Sequence, residues 1–243
     1  MTVDTLAIFA HPDDVELAVG GTLLKMKSLG YTTGALDVTQ GEMGTRGTVE
    51  GRAKEATEAA HILKLDVREN LNLPDGHVFV DDESRTKLVR VLRRLKPKLI
   101  MTHQDADPHP DHDHIVQLVR ESARLAGMYK YDEETGGEKI NVPIVAHDIF
   151  SRLVVPSFIV DISDFLEDKM AAIRAHRSQF YDPRSSDPQT RLSDKDFLMQ
   201  LETRSRHFGT LIGTKAGEPF YVREALNVED PISLLTRSMN LYS

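Results

Sequence analysis

Apolar residues recur along the first half of this chain in two alternating rhythms. Short unbroken runs such as Leu6-Ala7-Ile8-Phe9-Ala10 and Leu99-Ile100-Met101 are separated by longer stretches in which apolar positions return every third or fourth residue. Unbroken runs of this length suit strands buried on both faces, and the longer period suits helices lying over them. The pattern predicts strands near 5–11, 33–39, 66–72 and 98–103, and helices near 14–29, 50–64, 82–95 and 111–126. An α/β fold follows, with a mainly parallel sheet flanked by helices.

Punctuation along the chain agrees with these elements. Gly30 follows the first helix, Pro97 closes the third, and Asp81 or Asp82 can cap the start of that third helix. Leu23, Leu24 and Met26 on the first helix, and Ile115, Leu118 and Val119 on the fourth, read as core. Residues 129–143 read as an exposed excursion. Apolar runs at 144–155 and 157–162 come next, then a helix from about Ser163 to Gln179. Residues 181–194, rich in Asp, Pro, Ser and Arg, predict a long loop before a last helix near 194–208. No repeat or low-complexity tract divides the chain, so a single domain over 1–243 is the expectation.

Composition narrows the function classes. An apolar share of 40% with 28% charged residues describes an ordinary globular protein. The net charge of -8 argues against nucleic acid as the partner. Cysteine is absent, so any metal must be held by nitrogen and oxygen. The start, Met1-Thr2-Val3-Asp4, lacks the basic and apolar segments of a signal peptide, and no run is long enough to cross a bilayer. A cytoplasmic protein with no membrane partner is expected.

The chemistry lies in two clusters, each placed just after a strand-like run. His11-Pro12-Asp13-Asp14 follows the first run, and His109-Pro110-Asp111-His112 comes a few residues after the fourth. Both fall beyond the carboxyl ends of strands, where the crevice of an open α/β sheet forms. His11 can offer an imidazole nitrogen and Asp14 a carboxylate oxygen to one ion, with a histidine of the second cluster as third ligand, for which His112 is favoured. That set leaves one position open for water. Asp13 cannot easily face the same way as Asp14, which frees it as a general base. Capping of the first helix by Asp13 and Asp14 is the simpler alternative for the first cluster taken alone. His109 is left to donate a hydrogen bond to developing negative charge, and Asp111 to fix its tautomer. His103 and His114 read as structural or surface residues.

His11-Pro12-Asp13-Asp14-Val15-Glu16-Leu17 with Gly20-Gly21-Thr22, together with His109-Pro110-Asp111-His112, resembles the paired signatures of the PIG-L/LmbE-like zinc N-deacetylases. Gly41-Glu42-Met43-Gly44-Thr45-Arg46-Gly47-Thr48, Arg52 and Glu55, and Ala175-His176-Arg177-Ser178-Gln179-Phe180, are similar to the bacillithiol-biosynthesis branch, the GlcNAc-malate deacetylases. The resemblance implies a Rossmann-like fold, zinc ligands at His11, Asp14 and His112, a base at Asp13 and oxyanion stabilisation by a protonated His109. It implies an acetamido-sugar substrate and a homo-oligomer, a trimer or hexamer. Imidazole and carboxylate also accept Fe2+, so zinc and iron both stay open.

Arg52 can reach sugar hydroxyls or a carboxylate, and Arg46 can bind the malate carboxylates of a GlcNAc-malate substrate. Glycines 41, 44 and 47 make a lid of that loop or simple turns, and Asn72, Asp75 and His176 are candidates for the entrance. Other acetamido sugars (a GlcNAc-inositol conjugate, GlcNAc, chitobiose), a metal-dependent phosphohydrolase, and a non-catalytic metal- or sugar-binding module are the competing readings. A dinucleotide-binding oxidoreductase is disfavoured, because His-Pro-Asp-Asp stands where a Gly-x-Gly-x-x-Gly turn is required.

Overall fold

The computed structural model describes residues 1–133, 137–230 and 232. β1 (Thr5–Phe9) leads to α1 (Asp14–Ser28), β2 (Thr33–Asp37) to α2 (Val49–Ile62), β3 (Val67–Asn70) to α3 (Asp82–Leu95), and β4 (Leu99–Thr102) to α4 (Pro110–Ala126). These eight elements match the predicted ones, each strand being shorter than its predicted range. β5 (Ile144–Asp148), β6 (Phe158–Asp161), α5 (Leu166–Ala175), α6 (Phe197–Thr210) and β7 (Gly217–Val222) follow.

Among the described residues, seven strands form one sheet in the order β3-β2-β1-β4-β5-β7-β6. β3 through β5 are parallel, whereas β7 pairs antiparallel with both β5 and β6. Side chains of β1 alternate between two cores. Leu6 and Ile8 pack with Leu88, Leu92, Ile115 and Leu118 of α3 and α4, while Ala7 and Phe9 pack with Val15, Val19, Ala59 and Ala172 of α1, α2 and α5. Burial on both faces is why β1 reads as an unbroken apolar run. Met26, predicted as core, is only half-buried, because α1 turns that position to its rim.

The caps behave as expected. Asp81 accepts the Ser84 N–H at 2.8 Å at the start of α3, and the left-handed Lys96 ends that helix just before Pro97. The second half departs from expectation in three places. The apolar pattern does not predict β7, because Gly217 and Pro219 break it, yet this strand runs between β5 and β6. The helix expected over 163–179 is a 3-10 turn at Ser163–Phe165 followed by α5, which stops at Ala175. Tertiary hydrogen bonds take over there: the Ser178 N–H and hydroxyl both donate to the Glu55 carboxylate at 2.8 Å. The last helix starts at Phe197 rather than 194.

β1 connects towards β2 and β3, and β4 towards β5 on the opposite side, so strand order reverses between β1 and β4. That reversal opens a crevice at the carboxyl ends of those two strands. Both histidine clusters follow them in the chain.

Candidate active site

At the end of β1 the backbone makes an abrupt turn in which Asp13 takes φ 136° and ψ -29°. A non-glycine residue in that region is strained, and such strain persists where the surroundings fix it. Asp13 precedes the first residue of α1 but makes no side-chain cap hydrogen bond, so the capping alternative does not account for it. Asp14 accepts the His11 backbone N–H at 2.8 Å, which folds its carboxylate back over the turn.

Pro110 opens α4 at its first position, and His109 caps it, its Nδ1 accepting the Asp111 N–H at 3.2 Å. This helix start carries His112 into the crevice. His11 Nδ1, Asp14 Oδ2 and His112 Nε2 come together as a triangle with sides of 3.2, 3.4 and 3.4 Å. Ligands about 2.0–2.1 Å from a tetrahedral ion would stand about 3.3–3.4 Å apart, so these donors fit a divalent metal without rearrangement.

The opposite ring nitrogens support that reading. His11 Nε2 lies 3.0 Å from Asp75 and 3.6 Å from Asp111, and His112 Nδ1 lies 3.2 Å from Asp107. Carboxylates behind both rings leave the facing nitrogens with lone pairs free for a cation. Burial disfavours the charged imidazoles, yet Asp111, Asp14 and Asp75 outweigh it and raise the His11 pKa well above its ordinary value. At His112, against the same burial, Asp14 and Asp107 raise it to about 9. Protons therefore gather in the protein without metal where a metal cation would sit. A second cluster, His11 with His109 and Asp111, also meets the distance requirement among the described residues. Its members are already engaged: His109 Nδ1 caps α4, and Asp111 accepts the N–H groups of Gly76 at 2.7 Å and Val78 at 3.2 Å.

Asp13 is buried beside this triangle. Burial is the main cause that raises its pKa to about 6, with Arg52 opposing it. Arg52 Nη2 lies 3.4 Å from Asp13 Oδ1 while donating to the Pro12 carbonyl at 2.8 Å, and Nη1 donates to the Gly41 carbonyl at 3.1 Å. Gly41 has φ +68°, and a Cβ there would stand 2.0 Å from Arg52 Nη1, so its glycine is required by the close approach of the guanidinium. The His109 ring lies 4.9 Å from that of His11 and 4.7 Å from that of His112, centroid to centroid. Burial and the neighbouring imidazoles lower its pKa. With Nδ1 accepting in the cap, the neutral ring carries its proton on Nε2. His109 is thus a neutral donor rather than the protonated one expected from the resemblance.

Two other expectations are corrected. Arg46 is buried, with Nε donating to the Ser178 carbonyl at 2.9 Å, Nη1 to the Pro188 carbonyl at 3.3 Å and Nη2 to the Ser185 hydroxyl at 3.2 Å. These bonds tie it to the loop after α5, and it is not among the residues that line the cavity around the triangle. Asp111, expected to orient the His109 ring through its carboxylate, instead holds the loop at Gly76 and Val78 and faces His11. Asp111 is buried in the first turn of α4, where these backbone N–H groups take its carboxylate, whereas His109 is exposed.

A cavity of about 620 Å³ surrounds the triangle and is lined by His11, Asp13, Asp14, Arg52, His109 and His112 among others. Of the entrance candidates Asp75 lines it, while Asn72 is exposed and bonds Asn70, and His176 is buried 3.2 Å from Glu16. His103 is buried rather than on the surface. Its Nε2 accepts the Ala10 N–H at 3.0 Å and its ring stacks on His112 at 3.8 Å. His114 is structural, bonded to the Val78 carbonyl at 2.6 Å. Asp107, Asp148 and Phe150, which also line the cavity, were missed by sequence reading. The run at 144–155 signalled a strand, and the carboxylate at its end was the available clue to Asp148.

A sequence profile of the PIG-L family, described as GlcNAc-PI de-N-acetylase, matches residues 6–123, which hold both clusters. A diacetylchitobiose deacetylase of Thermococcus kodakarensis is 32% identical over 188 residues, covering 72% of this chain and 69% of that protein. A probable N-acetyl-alpha-D-glucosaminyl L-malate deacetylase 2 of Bacillus subtilis is 27% identical, covering 74% of this chain and 84% of that one. Among solved structures, the conserved protein TT1542 of Thermus thermophilus superposes with a TM-score of 0.84 at 38% identity, over 93% of this chain and 98% of that one. Clusters, crevice and relatives agree, and the chain belongs to the PIG-L de-N-acetylase family.

Proposed function

We propose that this protein is a metal-dependent N-deacetylase of acetamido-sugar conjugates, with His11, Asp14 and His112 as metal ligands and zinc as the metal. One observation carries the reading: a preassembled triangle of donors whose sides are 3.2–3.4 Å, next to a buried carboxylate that belongs to none of its corners. When bound, the metal would supply Lewis acidity towards an acetamide carbonyl and a water molecule.

The chain's own groups do the rest. Asp13 accepts a proton from the attacking water and returns it to the departing amine, and a carboxyl near pKa 6 suits both steps. Arg52 holds Asp13 in place and keeps it more ionised than burial alone would allow. His109 donates its Nε2 proton in a hydrogen bond to the oxyanion. Products are acetate and a free amine.

The phosphohydrolase alternative has less support. Two-metal centres of that class need a bridging carboxylate, whereas the two donor sets here share only an imidazole, that of His11. Within the deacetylase class, GlcNAc-malate loses its assigned anchor because Arg46 is buried against the loop after α5 and does not line the cavity. The reading therefore extends to chitobiose-type and other acetamido sugars. The test is acetate and amine release by zinc-loaded protein from GlcNAc, diacetylchitobiose, GlcNAc-malate and GlcNAc-inositol. Release that stops on chelation is expected, and a fully loaded protein that frees no acetate from any of them overturns the proposal.

A further inference from the structure

We propose that Asp148 is a specificity-determining residue of this site, whose carboxyl takes a hydroxyl of the sugar conjugate on the β5 side of the metal triangle, beside the Phe150 ring. This rests on the deacetylase reading above and assigns half of the cavity.

Asp148 ends β5, one strand beyond the β1/β4 crevice, so it flanks the site on the side away from Arg52 and Asp75. The residue is 3% exposed and lines the cavity. Its Oδ1 has no hydrogen-bond partner among the described residues, while the Gln104 backbone N–H supports the carboxyl. A buried polar atom without a partner is costly, and in a cavity wall it points to a ligand that completes it.

The neighbours say what kind of ligand. Phe150, Leu17 and Phe197 line the same part of the cavity with apolar surface. Phe150 is held firmly, because the Gln104 Oε1 accepts the N–H groups of Phe150 and Ser151 at 2.7 Å each. The Arg204 guanidinium covers its ring at 5.5 Å and that of Phe208 at 5.2 Å. An apolar platform beside a single acceptor matches a sugar ring, which presents C–H faces and hydroxyl edges. A hydroxyl can both donate and accept, so it bonds either form of the acid. Burial raises the Asp148 pKa to about 7 against the opposing charge of His112, and Asp107 and Asp14 add to the rise. An acceptor beside an apolar platform therefore suits a polyhydroxylated group.

The experiment uses the metal-loaded protein with Asp148→Ala and Asp148→Asn. Calorimetry with glucosamine, the amine product of GlcNAc, needs no turnover. It should show roughly tenfold or greater weakening in Asp148→Ala, with much of it recovered in Asp148→Asn. In parallel, kcat and KM are compared for GlcNAc and for N-ethylacetamide, which has no hydroxyl. The ratio of their kcat/KM values should fall by a similar factor, carried mainly by KM. Unchanged glucosamine binding, or an equal loss for both acetamides with a lowered Tm, overturns the assignment and leaves Asp148 a structural group packed towards Lys169 and Arg204. If the wild type binds glucosamine but frees no acetate from any acetamide, the deacetylase reading fails while the calorimetric arm still decides Asp148.

Discussion

For the proposed ligand set, metal binding is a competition with protons, and the geometry sets its strength. In the metal-free protein the imidazole of His112 has a pKa of about 9, and that of His11 is also raised well above its ordinary value. At pH 7, a group with a pKa two units higher is free of its proton about 1% of the time, which weakens metal binding by about 100-fold, or about 2.7 kcal/mol. The sign follows directly: as pH rises towards 9 the competing proton leaves and affinity increases. Between pH 6 and 8 the logarithm of the zinc affinity should climb by about one to two per pH unit, one for each imidazole that must lose a proton. Calorimetric zinc titrations in buffers of different ionisation enthalpy count the protons released, and one to two per ion are expected.

Asp107→Asn sharpens the test, because Asp107 both orients His112, at 3.2 Å from Nδ1, and helps to raise its pKa. Loss of orientation should cost about ten- to a hundredfold in zinc affinity at pH 9. At pH 6 the deficit should shrink, because the proton competitor is weakened by the same substitution. Zinc affinity that is flat with pH, or release of no protons, would refute the shared site of His11 and His112.

Asp13→Asn should keep its zinc, by elemental analysis, while kcat falls by about 10²–10⁴, since the carboxylate that moves the proton is gone. Arg46→Ala should lower Tm through the loss of hydrogen bonds worth about 1.5–3 kcal/mol each, with equal effect on acetamides with and without a carboxylate. A KM increase confined to carboxylate-bearing substrates would restore Arg46 to substrate binding. Arg68 lies 2.5 Å from Glu16 and 2.9 Å from Asp37, all three buried beneath the site, so Arg68→Met should destabilise by about 3–5 kcal/mol in denaturant titration at pH 7. Burial opposes the Glu16 charge, but Arg68 and His176 lower its pKa from 4.5 to about 2. That contribution is fully present above pH 4.5 and lost as pH falls towards 2, so the gap between wild type and variant should narrow in acid.

Sequence alone determined the parallel half of the sheet and the two clusters that meet at its crevice. β1 and β4 carry unbroken apolar runs that the fold buries, and Pro110 marked the turn that brings in His112. Those signals are local, because periodicity, caps and proline act within a few residues. Other parts were settled only by contacts between distant segments. β7 is a strand because β5 and β6 offer it edges, and not through its own apolar pattern. Arg46 and Arg52, six positions apart, could not be told apart until the loop after α5 enclosed one and Asp13 met the other. His109 became a neutral donor because a helix cap took its Nδ1, and Asp107 and Asp75 became partners of the His112 and His11 imidazoles only once β1 to β4 had assembled into one sheet. Hydrogen-bond partners and burial depend on what packs against a residue, which a linear pattern does not encode.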